Sequence, residues 1–243
     1  MNIAGALLIV ALLASCATPA SPSVGATIAP STSVAASTAA ASQGPLSLSN
    51  GQLAAGTYQT LVFQPQMTLT LPDGGWSLTA GEEADRVSDF VHSGPGVDQQ
   101  ISFAVFRLGQ TFNVFPDPCH PERVQDTTAV GKSREALVAW LASSPLLGAS
   151  QPTPIAIQGR QCVEVKLVLD DAALAKCADG QAALWGNGEG VLSLPPGSDD
   201  RLIILDVGGQ MILVPWSVGP ESATATLEPE IRKVLDTLTF ADH

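Results

Sequence analysis

Charged residues are scarce in this sequence of 243 residues and are missing from its first 72 positions. They make up 14% of the chain, against roughly 25% in ordinary soluble domains. The first acidic residue is Asp73 and the first basic residue is Arg86. The N-terminal part therefore differs in composition from the rest of the chain. The 23 acidic and 11 basic residues give a net charge of −12. This charge repels phosphate backbones, and no nucleic acid is expected as a partner.

The N-terminus also lacks an apolar run of membrane-spanning length. Residues 3–13 are apolar, but these eleven residues fall short of the about 20 that a spanning helix needs. The run suits the central region of a signal peptide. It ends in Leu13-Ala14-Ser15-Cys16, which resembles the bacterial lipobox, although no Lys or Arg precedes it. The resemblance implies cleavage before Cys16 and lipid on its thiol, whose two or three acyl chains form a stable anchor.

Residues 17–45 consist almost entirely of Ala, Ser, Thr, Pro and Gly. Such a segment buries too little apolar surface to offset its chain entropy and is expected to be disordered. We therefore predict a lipoprotein signal peptide at 1–15, a tether at 16–47 and a single domain at 48–243. The predicted location is extracytoplasmic, with the domain anchored to the bacterial cell membrane. Full secretion after an ordinary signal peptide is the alternative.

From about Leu46 onward, short apolar runs separated by turns predict a series of β-strands. The predicted strands are residues 58–63, 67–71, 76–78, 101–108, 155–157, 162–169, 182–185, 191–194, 201–207 and 210–214. The last two form the clearest hairpin, because Gly208-Gly209 between them suits a turn with positive φ. Gln158-Gly159-Arg160 is predicted to turn another hairpin.

Two helices, at about 133–143 and 228–238, are predicted from apolar residues at helical spacing. Ser133 can cap the first helix, and Pro229 lies in the first turn of the second, where its missing donor costs little. The apolar faces contain Leu137, Trp140 and Leu141 in the first helix, and Ile231, Val234, Leu235 and Leu238 in the second. Many hairpin-linked strands with two helices predict an α+β fold, an antiparallel β-sheet flanked by the helices.

Three runs of the sequence resemble a group of uncharacterised exported proteins from high-GC Gram-positive bacteria. They are residues 115–120 (Phe-Pro-Asp-Pro-Cys-His), 137–141 (Leu-Val-Ala-Trp-Leu) and 201–207 (Arg-Leu-Ile-Ile-Leu-Asp-Val). The group is similar, more distantly, to lipoproteins with the Mog1/PsbP-like α/β/α sandwich. The resemblance covers most of residues 56–240. It implies an architecture and a compartment, and it implies no reaction.

Three cysteines remain after Cys16, namely Cys119, Cys162 and Cys177. Export places them in an oxidising compartment, where disulfide bonds form. A Cys119–Cys177 bond is favoured because both residues lie in turn-like stretches, and the resembled group tends to carry cysteines at these two places. Cys162 lies in a strand pattern typical of a small buried side chain. A Cys162–Cys177 bond is the rival pairing.

No motif in the sequence fixes a reaction. His92, His120 and His243 lack the paired spacing of zinc ligands, so no metal or other cofactor is predicted. No Gly-x-Ser-x-Gly nucleophile elbow is present, and no catalytic residue is predicted. Three acidic pairs are interpreted as solvated turn charges, namely Glu82-Glu83, Asp170-Asp171 and Asp199-Asp200. An exposed interaction edge at residues 82–85 is an alternative interpretation.

The leading functional hypothesis is a lipid-anchored envelope protein that acts as a non-enzymatic binding or interaction module. Trp185 and Trp216 flank Gly- or Pro-rich turns and could line a ligand groove, with packing as the alternative. Two other hypotheses stay open: a binder of a small apolar or lipid-like ligand, and a hydrolase whose active site is not readable from the sequence. The expected partners are the membrane, through the lipid on Cys16, and an envelope protein or small apolar ligand.

Overall fold

Strands dominate the computed structural model, which describes residues 44–96, 98–108, 113–114, 119, 133–144, 147–169, 171–177, 182–186, 191–194 and 197–242. The strands are β1 (Leu46–Ser47), β2 (Gly51–Leu53), β3 (Gly56–Gln59), β4 (Met67–Leu71), β5 (Trp76–Glu82), β6 (Arg86–Ser93), β7 (Gln100–Arg107), β8 (Asn113–Val114), β9 (Leu147–Ala149), β10 (Thr153–Ile157), β11 (Arg160–Leu169), β12 (Ala182–Gly186), β13 (Val191–Leu194), β14 (Asp199–Val207), β15 (Gln210–Gly219) and β16 (Thr239–Phe240). The helices are α1 (Arg134–Ser143), α2 (Asp171–Leu174) and α3 (Thr224–Leu235). The predicted α+β class is confirmed.

The described strands form three sheets rather than the single sheet that the sequence predicted. A central sheet has the order β10–β11–β14–β15–β7–β6–β5–β2, with β9 also paired to β11. A small sheet has the order β1–β3–β4–β16, in which β1 runs parallel to β3. A third sheet has the order β13–β12–β8. The small sheet joins the first described strand to the last one, a long-range pairing that no local sequence pattern reveals.

Both faces of the central sheet are buried at β14, which is one of its inner strands. Ile203 and Leu205 point to the core that contains α3 and the small sheet, whereas Leu202 and Ile204 point to the core that contains α1. A strand buried on both faces carries a nearly continuous apolar run instead of an alternating one. This double burial explains the uninterrupted apolar stretch at residues 202–205.

Helix α1 begins where the sequence predicted. The Ser133 hydroxyl accepts a hydrogen bond from the Ala136 N–H over 3.2 Å and so caps the helix. Leu137 and Leu141 are fully buried against the central sheet. Trp140 packs beside them as a partly buried side chain.

Helix α3 begins four residues earlier than predicted, so the prediction that Pro229 lies in its first turn is wrong. The helix runs from Thr224 to Leu235 and contains Pro229 in its interior. The physical reason is Leu227, which is fully buried and continues the apolar stripe one turn towards the N-terminus. Burying a leucine side chain contributes about 1.5–3 kcal/mol, which favours helix over this extra turn.

The predicted hairpins are present, but one long strand was not predicted. Gly208 and Gly209 have φ values of 60° and 81°, and their turn joins β14 to β15. Gln158 and Gly159 have φ values of 48° and 79°, and Arg160 already belongs to β11. Strand β6 was missed because its apolar residues are interrupted by a bulge between Val87 and Phe90.

The folded part of the chain starts slightly before the predicted boundary. Leu46 and Ser47, which the sequence assigned to the tether, pair with Tyr58 and Gln59 of β3. The predicted signal peptide and the tether up to residue 43 lie outside the described residues.

Candidate binding surfaces

An ordered loop joins β3 to β4 in the small sheet. Its ends are tied together, because the Thr60 N–H donates to the Met67 carbonyl over 2.9 Å and the Met67 N–H donates to the Thr60 hydroxyl over 2.7 Å. In its middle, the Glu82 carboxylate accepts hydrogen bonds from the N–H groups of Val62 and, over 2.7 Å, of Phe63. The Phe63 side chain is fully buried. The loop is therefore fixed at its base and at its centre.

This fixed loop holds two neighbouring apolar side chains in solvent. Leu61 is 62% exposed and Val62 is 53% exposed. Leu46, in β1 of the same sheet, is 42% exposed. We name Leu61 and Val62 the apolar patch; Leu46 lies apart from them, at the Gly56 end of β3. The remaining large exposed apolar side chain among the described residues is Val168, in β11 of the central sheet. Contiguous apolar side chains exposed to solvent are a feature of contact surfaces.

The sheet that carries the apolar patch is uncharged. None of the residues in β1, β3, β4 and β16 is Asp, Glu, Lys or Arg, although the whole chain has a net charge of −12. The Glu82 carboxylate beneath the loop faces two backbone N–H donors. Glu83, next to it, forms an ion pair with Arg86. Glu82 thus supports the loop, whereas the interpretation of residues 82–85 as an exposed interaction edge stays a prediction, since Glu83 and Asp85 are partly exposed.

A second feature is a cluster of charged side chains around Trp216, which joins α3 to the central sheet. Trp216 is 2% exposed, and its indole N–H donates to Glu164 over 3.0 Å. The guanidinium carbons of Arg201 and Arg232 lie 4.9 and 4.8 Å from the centre of its ring. Arg232 also donates to Glu164 over 2.6 Å, and Glu228 in α3 accepts from both arginines.

These contacts keep the arginines charged and engaged within the fold. Burial alone would lower the pKa of Arg201 and of Arg232, but the carboxylates beside them outweigh it and raise both pKa values. Arg201 donates to Asp199 and Glu228, and Arg232 donates to Glu164 and Glu228. Ion pairs of this cluster therefore join helix α3 to the central sheet.

Asp199 belongs to the same cluster of charged side chains. Its carboxylate is 2% exposed and lies 3.1 Å from Arg201 and 3.3 Å from Lys166. Burial raises the pKa of Asp199, but the hydrogen bonds and charge of Arg201, with those of Lys166, outweigh burial and lower the pKa overall. Asp199 is thus held as a carboxylate by its neighbours.

Asp200 has the opposite environment, although it is the next residue in β14. It is 3% exposed, and its Oδ2 accepts from the Ser198 hydroxyl over 2.5 Å. Burial, together with the charge of Asp199, outweighs the Ser198 hydrogen bond and the Lys166 charge and raises the pKa of Asp200 to about 6. The interpretation of Asp199-Asp200 as solvated turn charges is wrong, because both side chains are buried in a strand.

The strand register places two hydroxyl groups beside Asp200. Ser217 lies opposite Asp200 in β15, and Ser102 lies opposite Ser217 in β7. The two hydroxyl oxygens are 2.8 Å apart. A carboxyl group that changes protonation near pH 6, next to hydroxyls on adjacent strands, can exchange a proton with a polar group bound there.

The predicted Cys119–Cys177 disulfide is confirmed, with an S–S distance of 1.97 Å. Cys162 is a buried free thiol, and burial raises its pKa. The rival Cys162–Cys177 pairing is therefore wrong. The lipidation site Cys16 lies outside the described residues.

The predicted groove at Trp185 and Trp216 stays a prediction. The Trp216 ring is covered by two guanidinium groups rather than open to solvent. The backbone of Trp185 lies in β12, and its side chain lies outside what the structure describes.

Two further observations concern metals and membranes. Within the described ranges, no group of three or more His, Cys, Asp or Glu side chains is placed to hold a metal ion. His120 and His243 are not among the described residues, so the absence of a metal site remains a prediction. In the same part of the chain, no helix has the length and apolar character needed to cross a membrane.

Sequence reasoning missed both the apolar patch and the burial of Asp200. One signal for Asp200 was available, since it lies two residues before Leu202 and four before Ile204, on the same face of a strand buried on both sides. Nothing in the sequence distinguished Leu61 and Val62 from core residues, because they continue the apolar pattern of the predicted strand 58–63.

Two of the solved structures that match this chain show how distant the likeness is. The solution structure of cyanobacterial PsbP (CyanoP) from Synechocystis sp. PCC 6803 matches with a TM-score of 0.39 and 14% identity, over 82% of this chain and 100% of that one. The crystal structure of LpqN, involved in cell envelope biogenesis of Mycobacterium tuberculosis, matches with a TM-score of 0.34 and 10% identity, over 79% and 91%. No family model and no curated protein matches this chain. At these TM-scores the matches carry no conclusion about function, which has to be inferred from the residues of this chain.

Proposed function

We propose that this chain is an exported lipoprotein whose folded domain acts as a binding module at the outer face of the bacterial cell membrane. The observation that carries the proposal is the fixed loop that displays Leu61 and Val62. Several hydrogen bonds and the buried Phe63 fix the loop in a conformation that exposes these two side chains to water. Exposure of apolar groups to water is unfavourable. A contact surface that needs no rearrangement to bind is the simplest use of such a loop.

The N-terminal sequence supports the membrane location. The run at 3–13 and the Leu-Ala-Ser-Cys sequence ending at Cys16 resemble the signal and lipobox of lipoproteins. The Cys119–Cys177 disulfide also suits an oxidising extracytoplasmic compartment.

The test is fractionation of cells that produce the full chain or its Cys16→Ser variant. The parent chain is expected in the membrane fraction and in the detergent phase of a phase separation, because its acyl chains hold it there. The Cys16→Ser variant is expected to lose the acyl chains and to leave the detergent phase. A Cys162→Ser variant is the matched control, because it removes another thiol without touching the anchor. Equal partitioning of the parent and the Cys16→Ser variant would contradict the proposal.

A hydrolase is the second candidate, and Asp200 is the observation that favours it. A buried carboxyl with its pKa raised to about 6 is a feature of acid–base catalysis. Ser102 and Ser217 could hold a polar substrate beside it. Hydrolysis of ester or glycoside substrates by the purified chain, abolished in Asp200→Asn but retained in Asp206→Asn, would favour this candidate. Activity that persists in Asp200→Asn would exclude Asp200 as its acid or base.

A further inference from the structure

A row of side chains, most of them polar, crosses the central sheet and ends at Asp200. Residues that lie opposite one another in neighbouring strands share a face of the sheet. The strand pairings place in this row Asp200 of β14, Ser217 of β15, Ser102 of β7, Val91 of β6 and Ser77 of β5. We name these five residues the polar row. Its four inter-strand steps span roughly 19 Å, and Asp200 is its only charged member.

The polar row begins where the apolar core beneath α1 ends. Leu202 of that core lies two residues beyond Asp200 in β14. Leu167, also in the core, lies opposite Asp200 in β11. Asp200 is accordingly buried, whereas the other four members of the row are only partly buried. A ligand that lies along the row from solvent would therefore meet the carboxyl group at its buried end.

The row has hydrogen-bond acceptors that are not used. The Oδ2 atom of Asp200 accepts from the Ser198 hydroxyl, and the carboxylate accepts no other hydrogen bond from the described residues. The hydroxyl oxygens of Ser102 and Ser217 are 2.8 Å apart and bond to each other. Each hydroxyl has two lone pairs, so this bond leaves acceptor capacity on both. One carboxylate oxygen and two hydroxyl oxygens can therefore accept from a ligand.

No ion pair neutralises Asp200 within the described part of the chain. The charged groups that act on it are Asp199, next to it in β14, and Lys166 in β11. Lys166 is already paired with Asp199 over 3.3 Å and with Glu221 over 3.1 Å. Burial, with the charge of Asp199, therefore raises the pKa of Asp200 to about 6. A buried carboxylate without a counter-ion is stabilised most by a group that brings positive charge and hydrogen-bond donors.

From these observations we propose that the polar row binds a ligand with a protonated primary amine, whose ammonium group pairs with the free carboxylate oxygen of Asp200 and donates to Ser217 or Ser102. An ammonium group has three donors and no acceptor, which matches the acceptors that the row leaves free. The net charge of −12 also attracts cations to the protein. The inference goes beyond the proposed function, because it involves neither the anchor nor the apolar patch.

The test is an NMR titration of the chain from Cys16 to His243, which contains every described residue, at constant ionic strength. The probe is propylammonium, and tetramethylammonium is the matched control because it has the same charge and no N–H donor. Propylammonium is expected to shift the signals of Asp200, Ser217 and Ser102 until they saturate. Tetramethylammonium is expected to leave them unchanged.

The apparent affinity should also depend on pH, because the ammonium group pairs with the ionised carboxylate. With a pKa of about 6, about a tenth of Asp200 is ionised at pH about 5, and nearly all of it at pH about 8. The probe is a simple amine and stays protonated at both pH values. Its apparent affinity should therefore be about tenfold weaker at pH about 5 than at pH about 8.

Two variants and a matched control identify the acceptors. Asp200→Asn keeps an acceptor for Ser198 but removes the charge, so binding at pH about 8 should weaken by at least about tenfold and lose its pH dependence. Ser102→Ala combined with Ser217→Ala should also weaken binding, by about threefold to tenfold. The control replaces Thr57 and Thr70 by Val. Their hydroxyls, 3.0 Å apart across β3 and β4, form a similar pair on another sheet, and this chain should bind like the parent.

Three results would overturn the proposal. One is the absence of saturable shifts at Asp200, Ser217 and Ser102 with propylammonium. Another is equal binding by the parent and Asp200→Asn, which would place the ammonium group elsewhere. The third is binding of maltotetraose, an uncharged probe rich in hydroxyls, along the row without binding of propylammonium, which would assign the row to a neutral ligand. None of them bears on lipidation of Cys16, which the fractionation of the Cys16→Ser variant decides separately.

Discussion

Replacing Asp200 by Asn should stabilise the protein at neutral pH, because the ionised form of this carboxylate is buried. Asp200 is 3% exposed, and its hydrogen bond from Ser198 does not offset the loss of water around a charge. An Asn side chain keeps an acceptor for the Ser198 hydroxyl and carries no charge. The substitution therefore removes the penalty for ionisation while keeping the size of the side chain.

The magnitude follows from the pKa of Asp200, which rises from 3.8 to about 6 on folding. Between these two pH values the folded state holds a proton that the unfolded state has released. The parent protein therefore loses stability as pH rises through this window, by about 3 kcal/mol in total. The advantage of Asp200→Asn over the parent should be near zero below pH about 4 and should reach about 3 kcal/mol above pH about 6.

Asp199 supplies a matched control with the opposite sign. Its pKa is lowered overall by Arg201 and Lys166, so its ionised form stabilises the folded state above its ordinary pKa. This contribution is lost as pH falls through the lowered pKa of the folded state. Asp199→Asn should therefore destabilise the protein at pH 7, with a smaller effect in acid.

The assay is urea unfolding of the three proteins at a series of pH values from about 3 to 8. The quantity compared is the difference in free energy of unfolding between each variant and the parent, since groups common to both cancel. Parallel pH curves for Asp200→Asn and the parent would refute the account, because they would mean that Asp200 ionises as easily in the folded as in the unfolded chain.

Three further substitutions test the contacts that hold the domain together, each measured as a free energy of unfolding at neutral pH. Glu164→Ala should destabilise by about 3–5 kcal/mol, because it removes the buried carboxylate that accepts from Arg232 and from the Trp216 N–H and leaves Arg232 with Glu228 alone; Glu164→Gln should cost less, and equal effects would argue against this ionic role. Replacing Cys119 and Cys177 by Ser should cost about 4 kcal/mol for a separation of 58 residues, and an unchanged midpoint would contradict it. Ser133→Ala should cost about 1 kcal/mol through loss of the helix cap, whereas Ser133→Asp should retain most of the stability.

Local chemistry made part of the fold predictable. The Gly208-Gly209 turn could be recognised because few other residues accept two consecutive positive φ values. The cap at Ser133 could be recognised because a hydroxyl before an apolar helical pattern satisfies a free N–H group. These features depend on neighbours in the sequence, and the structure confirms both.

Features that depend on distant neighbours were not predictable from one sequence. The start of α3 depends on where Leu227 meets the core, and burial there overrides the preference of proline for a first turn. The burial of Asp200 depends on β11 and β15 lying on either side of β14. Leu61 and Val62 have the sequence pattern of strand residues. In the structure they lie in a loop whose backbone donates hydrogen bonds to Glu82, and their side chains are exposed to solvent.

The intact mass of the protein purified from membranes of a bacterium that produces it tests the central claim most directly. The account predicts a chain that begins at Cys16 and carries diacylglycerol on that thiol. An unmodified chain recovered from the soluble fraction, cut at another position, would contradict the anchored binding module.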